Sequence, residues 1–351
     1  MIVSLGERSY PVIINHQATD FAALLAQYIT DKQVAIVTND IVWSFHGEQL
    51  SLALANWQQP TLIVLRDGET HKSISSLTQI FDQLLADYHT RQTTLISFGG
   101  GVITDITGLA ASLYQRGVNL IHIPTTLLAQ VDACLGGKTG INYNGIKNNI
   151  GTFYQPKAVI IDTKWLATLP QREFQSGLAE VLKMAIAFDA EFFVWLEQNA
   201  KKIMQRDSVV LLHAIERCCE LKAQIIQQDE FDLTTRALLN LGHTFAHAIE
   251  SGLNYSCLHG EAVAIGLVAA AKLSVKLNRL SITDAKRIEQ LLQAWQLPVS
   301  LPKTLAKNDL LAAMARDKKI TEVGLHFIIP SAIGQAEKVA GIERNVIAGL
   351  F

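Results

Sequence analysis

The chain changes character near residue 166, and that change restricts the folds open to it. Ahead of the break, short β-branched apolar runs alternate with stretches of helical spacing. The runs are Val34-Ala-Ile-Val-Thr, Thr61-Leu-Ile-Val-Leu, Thr94-Leu-Ile-Ser-Phe, Leu120-Ile-His-Ile-Pro and Ala158-Val-Ile-Ile-Asp. Runs that are apolar at nearly every position, instead of every second one, read as strands covered on both faces. Residues 75–88, between two of them, repeat their apolar side chains with a helical period. The alternation predicts a doubly wound, Rossmann-like α/β domain. Beyond the break, helical periodicity runs through 173–188, 191–204, 208–228, 233–250, 261–278 and 283–295, and Gly324-Leu-His-Phe-Ile-Ile-Pro330 is the clearest strand candidate. The expectation is an α/β domain over 1–165 and a mainly α-helical, metal-binding domain over 166–351, with the boundary near the Thr168-Leu169-Pro170 turn.

A chain of 351 residues exceeds one ordinary core, which agrees with two domains. A formal net charge of −2 gives no reason to expect nucleic acid or a membrane surface as partner. The longest apolar run, from Ala262 to Ala271, stops at Lys272, and no basic segment followed by an apolar core opens the chain. Cys134, Cys218, Cys219 and Cys257 do not form a disulfide framework, so a reducing cytoplasm is the expected compartment. Cys257, two residues before His259, reads as a small buried filler more readily than as a metal ligand.

Four stretches carry chemistry. Ser97-Phe-Gly99-Gly100-Gly101-Val102-Ile-Thr-Asp105 follows a strand and opens a helix, so its backbone N–H groups can approach a diphosphate. The spacing is not Gly-x-Gly-x-x-Gly, and a plain tight turn is the alternative. From His122 to Gly140, adjacent threonines (Thr125, Thr126), Asp132, a glycine pair and Lys138 fall within a loop-like stretch. Its Gly136-Gly137-Lys138-Thr139 end imitates a P-loop but lacks the leading portion, which argues against an NTPase. Lys138 and Lys147-Asn148-Asn149 then read as anion or hydroxyl ligands, or as a solvated charged loop. In the helical half, Glu180 and Lys183 share a face, either as site residues or as a surface ion pair. Lys222 and Asp232 lead up to a polar stripe of Arg236, Asn240, His243 and His247, spaced 4, 3, 4. His243, His247 and Glu250 are spaced i, i+4, i+7, and His259 follows a turn that can fold it back beside His243, just before a helix beginning near Glu261. Imidazoles converging with a carboxylate suit a divalent ion such as zinc. Half-buried helix histidines bonded to neighbours are the plain alternative.

Taken in order, Glu69-x-x-Lys72, Gly99-Gly-Gly-Val-x-x-Asp105, Tyr114-x-Arg116-Gly-Val, Pro124-Thr-Thr-Leu-Leu-Ala-Gln-Val-Asp132, Gly136-Gly-Lys-Thr, Lys147-Asn148, Glu180-Val-x-Lys183, Asp229-Glu230, Leu239-Asn-x-Gly-His243-Thr-x-x-His247-Ala-Ile-Glu250, His259-Gly-Glu and Asp317-Lys318-Lys319 make the whole chain resemble the 3-dehydroquinate synthases of the shikimate pathway. The resemblance implies an enzyme using NAD and zinc or cobalt. It would turn 3-deoxy-D-arabino-heptulosonate 7-phosphate into 3-dehydroquinate and phosphate by transient oxidation, phosphate elimination, re-reduction and aldol closure. It also implies Glu180, His243 and His259 as the metal ligands, with His247 a polar site residue instead of a ligand. Asn39, Glu69, Lys72, Gly100, Gly101, Val102, Asp105, Thr125, Thr126, Leu128, Lys138, Lys147, Trp165, Thr168 and Leu169 would hold NAD. Lys138, Lys183, Lys222, Arg236, Asn240 and His247 would act on a sugar phosphate also held by Asp132, Lys147, Asn148 and Lys318, and Arg116 would reach across a homodimer. Three departures stand out: Ala133-Cys134 where the family has Ser-Ser, Ile146 for a glycine, and Trp165 for a smaller or phenyl residue. Other readings are a sugar-phosphate cyclase of different product, a polyol dehydrogenase that would release NADH, and a non-catalytic metal- or nucleotide-binding protein.

Overall fold

A computed structural model describes residues 1–15, 20–57, 60–314 and 326–351. The chain forms two compact units, one of residues 1–170 with 222–231, the other of residues 171–221 with 232–351. The first unit thus takes in the last seven residues of one long helix and the three that follow it.

The first unit contains β1 (Ile2–Val3), β2 (Tyr10–Asn15), α1 (Phe21–Ala26), β3 (Gln33–Asn39), α2 (Asp40–Ala53), β4 (Thr61–Leu65), α3 (Ile74–Ala86), β5 (Thr93–Gly99), α4 (Gly101–Leu113), β6 (Asn119–Pro124), β7 (Lys138–Tyr143), β8 (Ile146–Phe153) and β9 (Ala158–Asp162). One sheet runs β1-β2-β9-β6-β5-β3-β4, parallel throughout except for the β1–β2 pair. Side chains alternate across it as the pleat requires. Ala35, Val37, Leu95 and Leu120 face α3 and α4, where Leu77, Ile80, Leu84, Ile106 and Leu109 wait. Val34, Ile36, Ile96, Phe98 and Ile121 face Phe21, Leu25 and Leu50 of α1 and α2. Both faces of the central strands are covered, so their runs are apolar without alternation. Of the five runs expected as strands, only β4, at the sheet's edge, leaves a large apolar side chain, Leu62, exposed.

The order places β5 on one side of β3 and β4 on the other. Connections therefore diverge between β3 and β5, and a crevice opens beyond their carboxyl ends. Asn39 ends β3 and Gly99 ends β5. A glycine turn that looks misplaced when strands are counted along the chain thus sits at the switch point.

Residues 138–153, of which 138–140 and 142–149 read from sequence as loop, form the antiparallel β7–β8 hairpin. Tyr143 pairs with Ile146, and the two residues between, Asn144 and Gly145, have φ of +50° and +73°. An Asn-Gly pair suits such a left-handed two-residue turn, which matches the twist of its strands.

The second unit holds α5 (Gln171–Phe188), α6 (Ala190–Met204), the start of α7 (Ser208–Gln228), α8 (His243–Gly252), α9 (His259–Lys276), α10 (Ile282–Ala294), α11 (Lys307–Met314), a hairpin of β10 (Phe327–Ala332) and β11 (Gln335–Val339), and α12 (Arg344–Ala348). Among the described residues no helix is long and apolar enough to cross a membrane. Helix α9 is buried on nearly every side from Ala262 to Ser274, packed by α5, α8, α10 and β10. One expectation fails here. Residues 233–250 are not one helix: Thr235–Asn240 is a 3-10 turn, Gly242 adopts φ +75°, and α8 starts at His243. Gly242 has to be small as well as left-handed, since a Cβ there would lie 2.9 Å from the Gly266 backbone of α9.

Candidate active site

In the first unit the glycine turn builds a cradle. Gly100 caps α4 without any side-chain hydrogen bond, so the first N–H groups of the helix are left for a ligand. Thr125 N donates to Gly99 O at 3.0 Å, and a Cβ on Gly100 would strike the Thr126 methyl at 3.0 Å. Leu128 and Ala133 lie beside Gly101. Thr125 Oγ1 is buried with no hydrogen-bond partner among the described residues, as expected of a donor kept for a ligand. Val102 is half-buried in the same first turn. A diphosphate fits this combination of free amides, small residues and an orphaned hydroxyl.

One turn along α4, Asp105 accepts from Lys72, which also donates to Asn148 Oδ1. Burial pushes the Asp105 carboxyl up, and the Lys72 ammonium pulls it back. Asn142 of β7 organises the rest: its Nδ2 donates to Glu69 Oε1 at 2.8 Å, its Oδ1 accepts from Asn148 N at 2.9 Å, and its own N–H donates to Lys72 O at 2.8 Å. Lys147 Nζ stands 3.9 Å from the same Glu69 oxygen. Glu69, Lys72, Asp105, Lys147 and Asn148, read separately from sequence, thus form one network whose hub, Asn142, the sequence reading did not assign. Asn39 caps α2 through its Oδ1 and donates to Asp67 Oδ1 at 2.5 Å. Asp67 was also missed; burial raises its carboxyl, and its place just past β4 was the available signal. Lys222 donates to Asp132 O at 2.6 Å and to the Asp132 carboxylate. Lys138 is exposed at the start of β7, Arg116 is exposed in a turn with φ +63°, and Thr168 Oγ1 lies 2.7 Å from His46 Nε2, with Leu169 next in the chain. The Trp165 side chain is 1% exposed, packed edge-on against Phe21, Phe98 and His46, as suits a large indole between two apolar layers. Lys318 lies outside the described residues.

In the second unit, Glu180, His243 and His259 offer ligand atoms within 4.8 Å of one another. Glycines let the backbones come that close. A Cβ on Gly260 would meet Ser176 O at 1.8 Å, and Gly260 N donates to Ser176 Oγ at 3.0 Å. The first turn of α9 therefore rests on α5, one turn before Glu180. Arg172 ties it down with two bonds to Glu261, 2.6 and 2.8 Å.

Glu180 is fully buried, and one oxygen, Oε1, lies 3.1 Å from His259 Nε2 and 3.5 Å from His243 Nε2. Lys183 Nζ takes the other oxygen at 2.5 Å. Burial alone would raise the Glu180 carboxyl, but Lys183 and the two histidines hold it well below the usual range. Burial pushes the His243 imidazole down, toward its neutral form. His243 Nδ1 is 3.1 Å from the Leu241 carbonyl and His259 Nδ1 is 3.0 Å from Glu250 Oε1. Both partners are acceptors, so a ring in its neutral form keeps its proton on Nδ1 and leaves Nε2 for an ion in the centre. With the rings neutral, two nitrogen lone pairs and a carboxylate oxygen converge on one point. A divalent cation is what such a donor set fits.

His247, one turn on from His243, sits half-buried with its ring 5.5 Å from the His243 ring. Lys183 and Arg236 are each 1% exposed, and Asn240 donates to Ala237 O at 3.1 Å. Arg236 and Asn240 belong to the 3-10 turn and not to α8, so the expected 4, 3, 4 stripe along one helix does not exist.

A doubly wound unit with a glycine turn at its switch point, and a helical unit with a Glu-His-His centre, make up the architecture of the sugar-phosphate cyclases. A solved structure of ValA, a 2-epi-5-epi-valiolone synthase from Streptomyces hygroscopicus with NAD+ and Zn2+ bound, matches with a TM-score of 0.90 at 32% identity, covering 99% of this chain and 97% of that one. A 2-deoxy-scyllo-inosose synthase complexed with carbaglucose-6-phosphate, NAD+ and Co2+ shares the fold with a TM-score of 0.91 at 22% identity, covering 100% and 98% of the two chains. Within that class the chain belongs to the 3-dehydroquinate synthase family. Residues 62–176 match the family's N-terminal model and residues 177–320 its C-terminal one. The 3-dehydroquinate synthase of Colwellia psychrerythraea is 49% identical, covering 95% of both chains, and that of Shewanella denitrificans is 46% identical, covering 99% of this chain and 97% of its own.

Proposed function

We propose that the protein is a 3-dehydroquinate synthase, converting 3-deoxy-D-arabino-heptulosonate 7-phosphate to 3-dehydroquinate and inorganic phosphate. Membership of the family at 49% identity over nearly the whole chain carries this reading. When bound, NAD supplies a hydride acceptor that returns what it takes, and zinc or cobalt at Glu180, His243 and His259 supplies Lewis-acid polarisation of a substrate hydroxyl.

The amides of Gly100 and Gly101, the hydroxyls of Thr125 and Thr126, and Val102 and Leu128 hold the diphosphate region of NAD. Glu69, Lys72, Asp105, Lys147, Asn39, Thr168 and Leu169 hold the rest of it. Lys183 keeps Glu180 ionised and therefore a ligand. Lys138, Lys222 and Arg236 bind the anionic groups of the substrate, and Asp132, Asn148, Asn240 and Lys318 bind its hydroxyls and remaining oxygens. As the carbon–oxygen bond to phosphate breaks, these cations stabilise the charge on the leaving phosphate, which takes up the proton lost from the adjacent carbon. His247 moves protons at the hydroxyls during ring opening and closure. Oxidation and re-reduction cancel, so NAD is not consumed. The enzyme is a homodimer in which Arg116 serves the neighbouring subunit, and its four free thiols suit a reducing cytoplasm.

The test incubates protein with the heptulosonate phosphate, a catalytic amount of NAD, and zinc or cobalt. Phosphate and dehydroquinate released in equal amounts, without accumulation of NADH and abolished by a chelator, are expected. Accumulating NADH would mean a dehydrogenase instead, and no phosphate release would mean a binding protein.

A further inference from the structure

Glu250 entered the sequence reading as a metal-ligand candidate, and the Glu-His-His centre does not include it. We propose that Glu250 is the positioning residue of that centre: its buried carboxylate holds the His259 ring so that Nε2, and not Nδ1, is presented to the metal. The inference rests on the metal-site reading above.

The geometry is specific. Glu250 is 3% exposed, and its Oε1 lies 3.0 Å from His259 Nδ1. An ionised carboxylate accepts there, so the ring keeps a proton on Nδ1, and Nε2 is the nitrogen left to a metal. His259 Nε2 in turn lies 3.1 Å from Glu180 Oε1, the oxygen shared with His243. Helix α8 therefore contributes twice, once through His243 as ligand and once, two turns later on the same face, through Glu250 as the orienter of the ligand on α9. The i, i+7 spacing seen in the sequence has this meaning.

The two histidines are held unequally. His243 leans on the neutral Leu241 carbonyl at 3.1 Å, whereas His259 leans on an anion. A carboxylate partner makes an imidazole a stronger donor than a carbonyl does. It is also the partner His259 needs more, because that ring is 24% exposed against 9% for His243, and packing alone restrains it less. Glu250 substitutes for missing burial.

Metal affinity can be read directly by titrating the apoprotein with zinc against a chromophoric chelator, with wild type, H259A, E250Q and E250A compared. Loss of Glu250 as Ala is expected to weaken binding about 10- to 100-fold. E250Q, which keeps an acceptor but loses the charge, is expected between wild type and E250A. In the apoprotein, at a pH where the ring is neutral, ¹⁵N-histidine spectra should show the His259 proton on Nδ1 in wild type and a mixture of tautomers in E250A. Zinc affinity in E250A within twofold of wild type, or a wild-type His259 with its proton on Nε2, would overturn the proposal. Failure of the wild type itself to bind zinc, or full binding by H259A, would instead overturn the ligand assignment on which it rests.

Discussion

His122 sits in the middle of β6, 3% exposed, its Nδ1 2.6 Å from the Ser97 hydroxyl of the neighbouring strand. Burial pushes its pKa down to about 3, from an ordinary value of 6.5. The folded ring is neutral, whereas an unfolded chain takes up a proton below that ordinary value. Between those two values the unfolded state binds more protons, so stability falls as pH falls, by about 1.4 kcal/mol per pH unit from this residue once the pH is well below 6.5. Replacing it as His122→Gln keeps a hydrogen-bonding side chain that does not titrate. The difference in unfolding free energy between wild type and this variant, from urea curves, should shift toward the variant as pH drops from 6.5 toward 4. A pH-independent difference would mean that the folded ring is charged. Other residues were legible from sequence in kind but not in role. Spacing alone favoured His247 and Glu250 as ligands, because both share a helix face with His243. Glu180, 63 residues before His243, has no local signal that connects them, and only the fold brings it to His243 and His259. Sequence likewise could not reveal that Trp165 lies between Phe21 and Phe98.

Elements were legible where local preference and tertiary need coincide. Strands β4 and β9 match their apolar runs residue for residue; β9 is buried at every position, whereas β4, at the sheet's edge, leaves Leu62 exposed and is still apolar after Thr61. Strand β2 escaped notice because Pro11 interrupts it, a residue tolerated where the partner is the short β1 at the sheet's edge. The β7–β8 hairpin carried its signal openly in Asn144-Gly145, but the surrounding glycines, lysines and asparagines read as loop. The break before α8 was hidden for a different reason: Gly242 is one glycine inside an otherwise helical period, and its left-handed φ of +75° serves the close crossing with α9. That crossing sets the distance between the two ligand histidines. A Cβ at Gly266 would lie 2.3 Å from Gly242 O, backbone that cannot rotate away. Gly266→Ala is therefore expected to push α8 from α9, costing about 1–3 kcal/mol of stability and weakening zinc binding at the same time. Thermal unfolding and zinc titration of the variant check this, and an unchanged melting temperature with unchanged affinity would show that the crossing has slack.

At the scale of the whole molecule, the candidate residues for each cofactor fall within one unit. The free amides of α4, the Thr125 hydroxyl and the network around Asn142 belong to the first, and Glu180, His243, His259 and Glu250 to the second. Each unit also has its own buried apolar interior, Ile36, Ile96 and Leu95 with their neighbours in one, Phe174, Leu182, Phe245 and Leu267 in the other. Helix α7 begins in the second unit and ends, from Lys222, in the first, where Arg8 grips Glu230 through bonds of 3.0 and 2.8 Å and Gln155 donates to the same carboxylate at 3.0 Å. A ligand that binds only the folded form slows the local openings of the segments it touches, by an amount set by its concentration relative to its Kd. Hydrogen exchange followed by mass spectrometry can therefore map each ligand to its unit. Zinc added to the apoprotein should protect peptides over 174–184, 241–251 and 258–264, where the ligands and Glu250 lie. NAD should protect peptides over 67–73, 97–106 and 124–130. At 100 times Kd the protection in either case corresponds to about 2.7 kcal/mol, roughly a hundredfold slowing of exchange. Zinc protection centred on the glycine turn, or NAD protection centred on α8, would break the assignment of chemistry to units on which the functional reading depends.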